Sequence, residues 1–207
     1  MYDFRNLLNI KIKIPKKEPK SLTEADQVKL LNTLEIMKLE DDYTTVRNIL
    51  IIKLLFLIGL RRDEVNNIDI NDFKQDIIDG IEVGYSLKVT GKGTKERILY
   101  IKNEVIEYEI EEFKEVMISN FICTTKTGKL MDGSQIYRMI KSFYKKANIN
   151  EKEYDVHSLR HTFATNLIIK GVDISVLQVL LGHSDIKTTT IYTQLRQEAI
   201  KSIIYSI

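Results

Sequence analysis

Apolar residues follow two rhythms along this chain. From Leu22 to about Gly59 they recur at helical spacing. Leu30, Leu31 and Leu34 line one face of a first helix, and Thr23 followed by Asp26 has the pattern of its N-terminal cap. The run Ile49–Leu60 predicts a second, buried helix that begins near Thr44 and ends near Gly59. Lys53 interrupts that run, and at 12 residues it is too short to span a bilayer. A short third helix is expected from Arg61. Between Asp76 and Ile101 the period drops to two: Ser86-Leu87-Lys88-Val89 and Arg97–Ile101 alternate around Gly91-Lys92-Gly93-Thr94-Lys95, which predicts an antiparallel hairpin. Helical spacing then returns, with Asp132 or Ser134, Asp155 and Asp173 as candidate N-caps and Gly171 and Gly182 as stops. In the tail, Leu195, Ala199, Ile200, Ile203 and Ile204 fall on one helical face, opposite Arg196, Gln197, Glu198 and Lys201. The pattern predicts an α+β domain, mainly α, with one small antiparallel sheet.

Composition changes this picture in two places. With 207 residues and 43% hydrophobic content the chain can build one large domain with a real core. A single cysteine, Cys123, excludes an internal disulfide and any multi-cysteine zinc site, and is expected as a small core or edge residue. The polar, basic start has no apolar signal region, so the expected compartment is cytoplasm, with no membrane partner. A net charge of +2 says little, but its distribution says more. Residues 1–20 carry six Lys/Arg against two Asp/Glu, Glu104–Glu115 carries six Glu, and Arg138–Lys146 holds Arg138, Lys141, Lys145 and Lys146 without an acid. Basic and acidic faces separated in this way suit a protein with one surface on nucleic acid.

Candidate chemistry clusters late in the chain, with one cation far upstream. Arg61 stands in Gly59-Leu60-Arg61-Arg62-Asp63-Glu64, aimed by the buried helix before it, and its planar fork of donors fits two oxygens of one phosphate. Glu64, one turn later, is expected to orient Arg61 or an active-site neighbour, while Arg62 belongs to the surface. His157 and Arg160, three apart on one predicted helix, can reach a single phosphate together. His161 lies four residues after His157, but Ser158 stands where a zinc-protease helix needs glutamate and no third ligand is evident; a packing or hydrogen-bonding role is expected instead. His183 follows the Gly182 turn. Tyr192 lies nine residues further on, after Thr188-Thr189-Thr190. Two arginines, two histidines and a tyrosine can break a phosphodiester by covalent catalysis without metal.

In this order, the Gly-Leu-Arg-x-x-Glu, His-x-x-Arg, Leu-Gly-His and Thr-Thr-x-x-Tyr segments resemble the tyrosine recombinases, the phage-integrase family of site-specific DNA strand-exchange enzymes. The resemblance covers roughly Leu22 to Tyr192. It implies an integrase-type DNA breaking-rejoining fold with residues 21–192 as the catalytic domain. Tyr192 is then the nucleophile that forms a 3′-phosphotyrosine, with Arg61, His157, Arg160 and His183 around the phosphate and neither metal nor ATP as cofactor. By the same resemblance Lys92, at the hairpin tip, is the general acid for the leaving 5′-oxygen, with Lys95 as the alternative; the glycines around Lys92 do not make a P-loop. Lys95, Arg97, Arg138 and Lys141 are candidate DNA contacts. The implied partners are double-stranded recombination sites and three further copies of the chain on DNA, a monomer being compatible with its absence. Residues 193–207 are then a helical tail that docks on a neighbouring protomer when DNA is bound and folds back in cis or is disordered without it, and residues 1–20 resemble the linker to a core-binding domain that the sequence does not contain. Two rivals share parts of this picture. A type IB topoisomerase would use similar chemistry as a monomer that relaxes supercoils, and a catalytically silent DNA-binding protein of the same fold would be marked by a lost arginine or tyrosine.

Overall fold

The computed structural model describes residues 20–40, 42–91, 93, 95–182 and 204–205. In chain order these form α1 (Glu24–Met37), α2 (Tyr43–Phe56), α3 (Arg62–Val65), a 3-10 turn (Ile70–Asp72), β1 (Phe73–Ile78), β2 (Ile81–Thr90) and β3 (Glu96–Lys102). The helices α4 (Asn103–Val116), α5 (Gly133–Lys146), α6 (Val156–Ile169) and α7 (Ile174–Leu180) follow. This is the mainly helical α+β domain that the sequence pattern predicts. Among the described residues no helix is long and apolar enough to cross a membrane.

The caps set the helix starts. Thr23 Oγ1 accepts from the Asp26 N–H at the head of α1, and Asp42 Oδ1 accepts from Thr44 at the head of α2. At α5 the cap is Asp132 rather than Ser134: Asp132 and Gln135 exchange side-chain and backbone bonds of 2.8 Å in each direction. Asp155 and Ser158 do the same at α6, so Ser158 is the box partner that fixes the first turn, which carries His157 and leads into the turn of Arg160.

Helix α2 is buried on every side from Ile49 to Phe56, which explains its almost unbroken apolar run. It ends at Phe56, three residues short of the expected Gly59. There the chain wraps under the helix: the Leu60 N–H donates to Leu54 O at 3.1 Å, and Gly59 adopts φ 73°. A Cβ on Gly59 would lie 2.2 Å from the Phe163 ring of α6, so glycine permits the approach that delivers Arg61 beside α6.

Strands β1, β2 and β3 make one antiparallel sheet in sequence order. Asp79 and Gly80, with φ 51° and 79°, form the tight β1–β2 turn with positive φ at both central positions, matched to strand twist. Residues Ile77–Gly84 are the outer part of that hairpin, beyond a bulge at Asp76/Ile77, and Ile77, Ile78 and Ile81 there are exposed. Nearer the core, Tyr85, Leu87, Val89, Leu99 and Ile101 share one buried face of β2 and β3. Ile106, Ile110 and Phe113 of α4 fill the space between this sheet and α2, and Cys123 is buried in the same core. At the far end of the chain Ile204 packs on the core of its own protomer, and Tyr205 donates to Asp76 Oδ2 at 2.8 Å beside the Tyr100 ring. The remainder of the predicted tail, and residues 1–19 of the linker-like segment, lie outside the described residues.

Lys53, the interruption in α2, is a buried charge with a partner. Its ammonium lies 2.7 Å from Glu109 Oε1 and donates to Val105 O at 2.9 Å, while Lys38 reaches the same carboxylate oxygen at 3.0 Å. Burial pulls the Lys53 pKa down against these contacts. Removing the acid strands that cation among aliphatic side chains. Glu109→Ala is therefore expected to lower stability by about 3–5 kcal/mol, read as a shift in urea midpoint at unchanged slope.

Candidate active site

The site assembles where the ends of three elements meet. Arg61 is the N-cap residue of α3, and Glu64 reaches back one turn to accept its backbone N–H through Oε2 at 2.8 Å. Glu64 Oε1 accepts from the Arg61 guanidinium at 2.9 Å. The carboxylate is 5% exposed, yet it carries more than this pair. Arg97 of β3 meets it with two parallel bonds, Nη1 to Oε1 at 2.8 Å and Nη2 to Oε2 at 2.9 Å. Arg160 Nη1 comes within 3.8 Å of Oε2 from α6. One glutamate thus holds three arginines contributed by three different elements.

The same arginines grip the C-terminal turn of α7. Arg97 Nε donates to Leu180 O at 3.1 Å, Arg160 Nη2 to Leu181 O at 2.7 Å, and Arg61 Nη2 to Gly182 O at 3.3 Å. Three consecutive carbonyls, the orphan acceptors of a helix end, each receive one guanidinium. Arg160 Nη1 also donates to Gly59 O at 2.6 Å, which ties α6 to the turn that delivers Arg61. The residue after Gly182 is His183.

Charge is unbalanced here. Burial pushes the Glu64 carboxyl up, but the Arg97 hydrogen bonds, the Arg61 backbone N–H and the neighbouring guanidinium charges outweigh it and hold the group below its ordinary value. Arg160 is pulled down to about 10, first by burial and then by Arg61, with Glu64 opposing and Arg97 adding to the depression. It remains charged at neutral pH. Three guanidiniums face one carboxylate, and only Arg61 presents much of itself to solvent, at 40% against 13% for Arg160 and 11% for Arg97. An anion with several oxygens is the ligand that complements such a cluster.

The other expected residues divide into three groups. His157, on the first turn of α6, is exposed one helical turn from Arg160. Lys92, His183 and Tyr192 lie outside the described residues, although Gly91 and Gly182, which precede two of them, border the cluster. His161 is exposed, which leaves out the packing half of the packing or hydrogen-bonding role expected of it. Of the four candidate DNA contacts, Lys95 and Arg138 are exposed, and Arg138 rims a shallow cleft of about 360 Å³ with Arg62, Ser134 and Tyr137. Arg97 and Lys141 turn inward instead. Lys141 donates to the Glu151 and Tyr154 carbonyls, and the donors of Arg97 serve Glu64 and Leu180. Arg97 is the member of the cluster that sequence reasoning misplaced. Its signal was parity: it alternates with Leu99 and Ile101, so it stands on the inward side of β3, where a charge needs a partner.

Residues 20–199 match the profile described as the phage integrase family. The chain belongs to this family. It is 34% identical over 198 residues to the tyrosine recombinase XerD of Staphylococcus haemolyticus, across 92% of this chain and 63% of that protein. The tyrosine recombinase XerA of Pyrococcus horikoshii is 34% identical over 197 residues, across 93% of this chain and 62% of its own length. The chain therefore spans less than two thirds of these relatives. Among solved structures, the XerH site-specific recombinase bound to palindromic difH substrate in a post-cleavage complex superposes with a TM-score of 0.69 at 26% identity, over 90% of this chain and 53% of that one. A lambda integrase dimer bound to a COC′ core site shares the fold, with a TM-score of 0.57 at 19% identity over 87% of this chain and 49% of that one. The phage integrase family fold therefore places the arginine cluster in a domain whose solved neighbours include recombinases held on DNA.

Proposed function

We propose that this chain cleaves and rejoins DNA at specific sites as a tyrosine recombinase, with Tyr192 as nucleophile. The observation that carries this reading is the convergence of Arg61 and Arg160, from distant parts of the sequence, on consecutive carbonyls directly before His183. In the reaction the Tyr192 phenol oxygen attacks the scissile phosphorus, the bond to the 5′-oxygen breaks, and a 3′-phosphotyrosine forms. The phenol proton passes to a base, for which His157 is the candidate, and the leaving 5′-oxygen takes a proton from Lys92. Arg61, Arg160 and His183 stabilise the pentavalent phosphate. Attack by a 5′-hydroxyl of the partner strand reverses these steps and reseals the backbone. The bond energy stays in the covalent link, so no nucleotide is consumed. Four protomers on two double-stranded sites exchange strands, and on DNA the tail that follows Tyr192, whose Ile204 and Tyr205 here pack on their own protomer, docks on the next one instead. The relatives named tyrosine recombinase XerD and XerA, and the XerH recombinase on its difH substrate, support the DNA-cleaving part of this reading.

The test is a nicked suicide duplex from which the cleaved end diffuses away. Wild-type protein should accumulate a protein–DNA adduct that survives denaturant and maps to Tyr192. The stabilising charge comes from side chains, so the adduct should form equally fast in excess EDTA. Loss of cleavage in EDTA, restored by magnesium, would overturn the mechanism. The acid step has its own test. Lys92→Ala should be nearly inactive on ordinary DNA and recover when sulfur replaces the bridging 5′-oxygen, because a thiolate leaves without a proton. Recovery by Lys95→Ala instead would move the acid to Lys95.

A further inference from the structure

We infer that Arg97 is a positioning residue for strand cleavage: it locks the Glu64 carboxylate and the turns that lead into Lys92 and His183 in one register, which leaves Arg61 an open edge for phosphate. The inference rests on the recombinase reading above.

Arg97 is 11% exposed, and its polar edges are committed. Two nitrogens take both oxygens of Glu64 and the third takes Leu180 O. The guanidinium also lies flat against Gly182, where a Cβ would sit 2.8 Å from Nη1, and Gly182 itself adopts φ 64°. On its other side a Cβ on Gly91 would fall 3.9 Å from Arg97 Nη1 and 3.7 Å from Glu64 Oε1. One planar side chain thus touches the residue before His183 and borders the residue before Lys92. At the same time it occupies the carboxylate that Arg61 would otherwise share only with the more distant Arg160.

The consequence for Arg61 follows from competition. With Arg97 in place, Glu64 offers Arg61 one oxygen and a backbone cap, and Arg61 stays 40% exposed. Without Arg97, each oxygen of a buried carboxylate loses a guanidinium bond, Arg160 stands no closer than 3.8 Å, and the Arg61 guanidinium is drawn further onto Glu64, in competition with a phosphate for the same fork. A lysine could neutralise Glu64 as a point charge, but it cannot bridge Glu64 and Leu180 O with fixed geometry.

The experiment uses the 207-residue chain with the nicked suicide duplex, and compares Arg97→Met, Arg97→Lys and the double variant Arg97→Met/Glu64→Gln. Adduct formation should slow about 10²-fold in Arg97→Met, the scale on which a misplaced active-site group costs rate. Arg97→Lys, which keeps the charge, should fall between wild type and Arg97→Met. The double variant should be faster than Arg97→Met alone, because the amide no longer captures Arg61. Equilibrium DNA binding supplies a readout that a direct contact would move. A lost phosphate ligand lowers the slope of log affinity against log salt by about 0.9; capture of Arg61 lowers it in Arg97→Met and the double variant restores it, whereas loss of a direct Arg97 contact persists in both. Wild-type adduct rates in both single variants, or a slope still reduced by about 0.9 in the double variant, would overturn the role. A double variant no faster than Arg97→Met would overturn the competition for Arg61. If the wild-type chain binds DNA and forms no adduct at all, the recombinase reading fails; an adduct from wild type with an unimpaired Arg97→Met removes the role of Arg97 alone.

Discussion

Tyr192→Phe should bind DNA as wild type does and form no adduct. The substitution removes one oxygen and leaves the ring, so packing and charge are unchanged while the nucleophile is gone. The alternatives within the chain are poorly suited to replace it. Burial, with Glu111 and Glu107 nearby, pushes the Tyr85 phenol up to about 12. Burial also raises Tyr144 well above the ordinary range, and Tyr144 donates to Asp155 O inside the core. A phenol in those settings resists the loss of its proton that attack on phosphorus requires. Tyr137 is exposed, but it stands on α5 beside Lys141 rather than at the arginine cluster. The measurement is denaturing electrophoresis of the suicide reaction, followed by peptide mapping of the wild-type adduct. An adduct retained by Tyr192→Phe, or one that maps to Tyr137, would remove Tyr192 from the mechanism.

Much of the fold was legible because local rules and packing agree. The Thr23, Asp132, Asp155 and Asp173 caps, the Gly171 and Gly182 stops and the β2–β3 hairpin all follow from residue types at required backbone positions. The end of α2 was less legible. Ile58 and Leu60 continue the apolar run, but they are buried by a wrapped turn rather than by another helical turn, and periodicity cannot separate those two cases. Strand β1 was missed although Asp79-Gly80 carries its turn signal, since the exposed Ile77, Ile78 and Ile81 give it no alternation to detect. At the site, the motifs name Arg61, Glu64 and Arg160, and the structure brings these three side chains together. Charge alone points Arg97 and Lys141 to a DNA surface, whereas their donors turn inward. Position on the element decides their fate instead. Arg97 shares its side of β3 with Leu99, Lys53 lies within the apolar run of α2, and Glu109 stands beside Ile110 on the buried face of α4. A charged residue at a core-facing position is a statement that a partner exists elsewhere in the chain.

Arg160 should prove less replaceable than Arg61, even by lysine. In the proposed mechanism both bind the scissile phosphate, but Arg160 is 13% exposed and also spans two carbonyls, Gly59 O at 2.6 Å and Leu181 O at 2.7 Å. Those carbonyls belong to the turn that delivers Arg61 and the turn that precedes His183. A lysine supplies one charged point at that depth and leaves at least one buried carbonyl without its donor, so both turns loosen while phosphate stabilisation weakens. Arg61→Lys loses a fork that is largely open to solvent and one bond of 3.3 Å to Gly182 O. Loss of a single preorganised donor costs about 10²–10³ in rate, and Arg160→Lys should reach the upper end of that range while Arg61→Lys stays near the lower. Like charge at the cluster adds to the difference: Arg160 is held down to about 10 by burial and by Arg61 and Arg97, so a bound phosphate gains more from meeting it than from meeting a solvated cation. The comparison is single-turnover adduct formation at matched DNA saturation, with thermal melts of each variant. An Arg160→Lys chain that cleaves as fast as Arg61→Lys would mean that the two carbonyl ties carry no weight in placing the Arg61 and His183 turns.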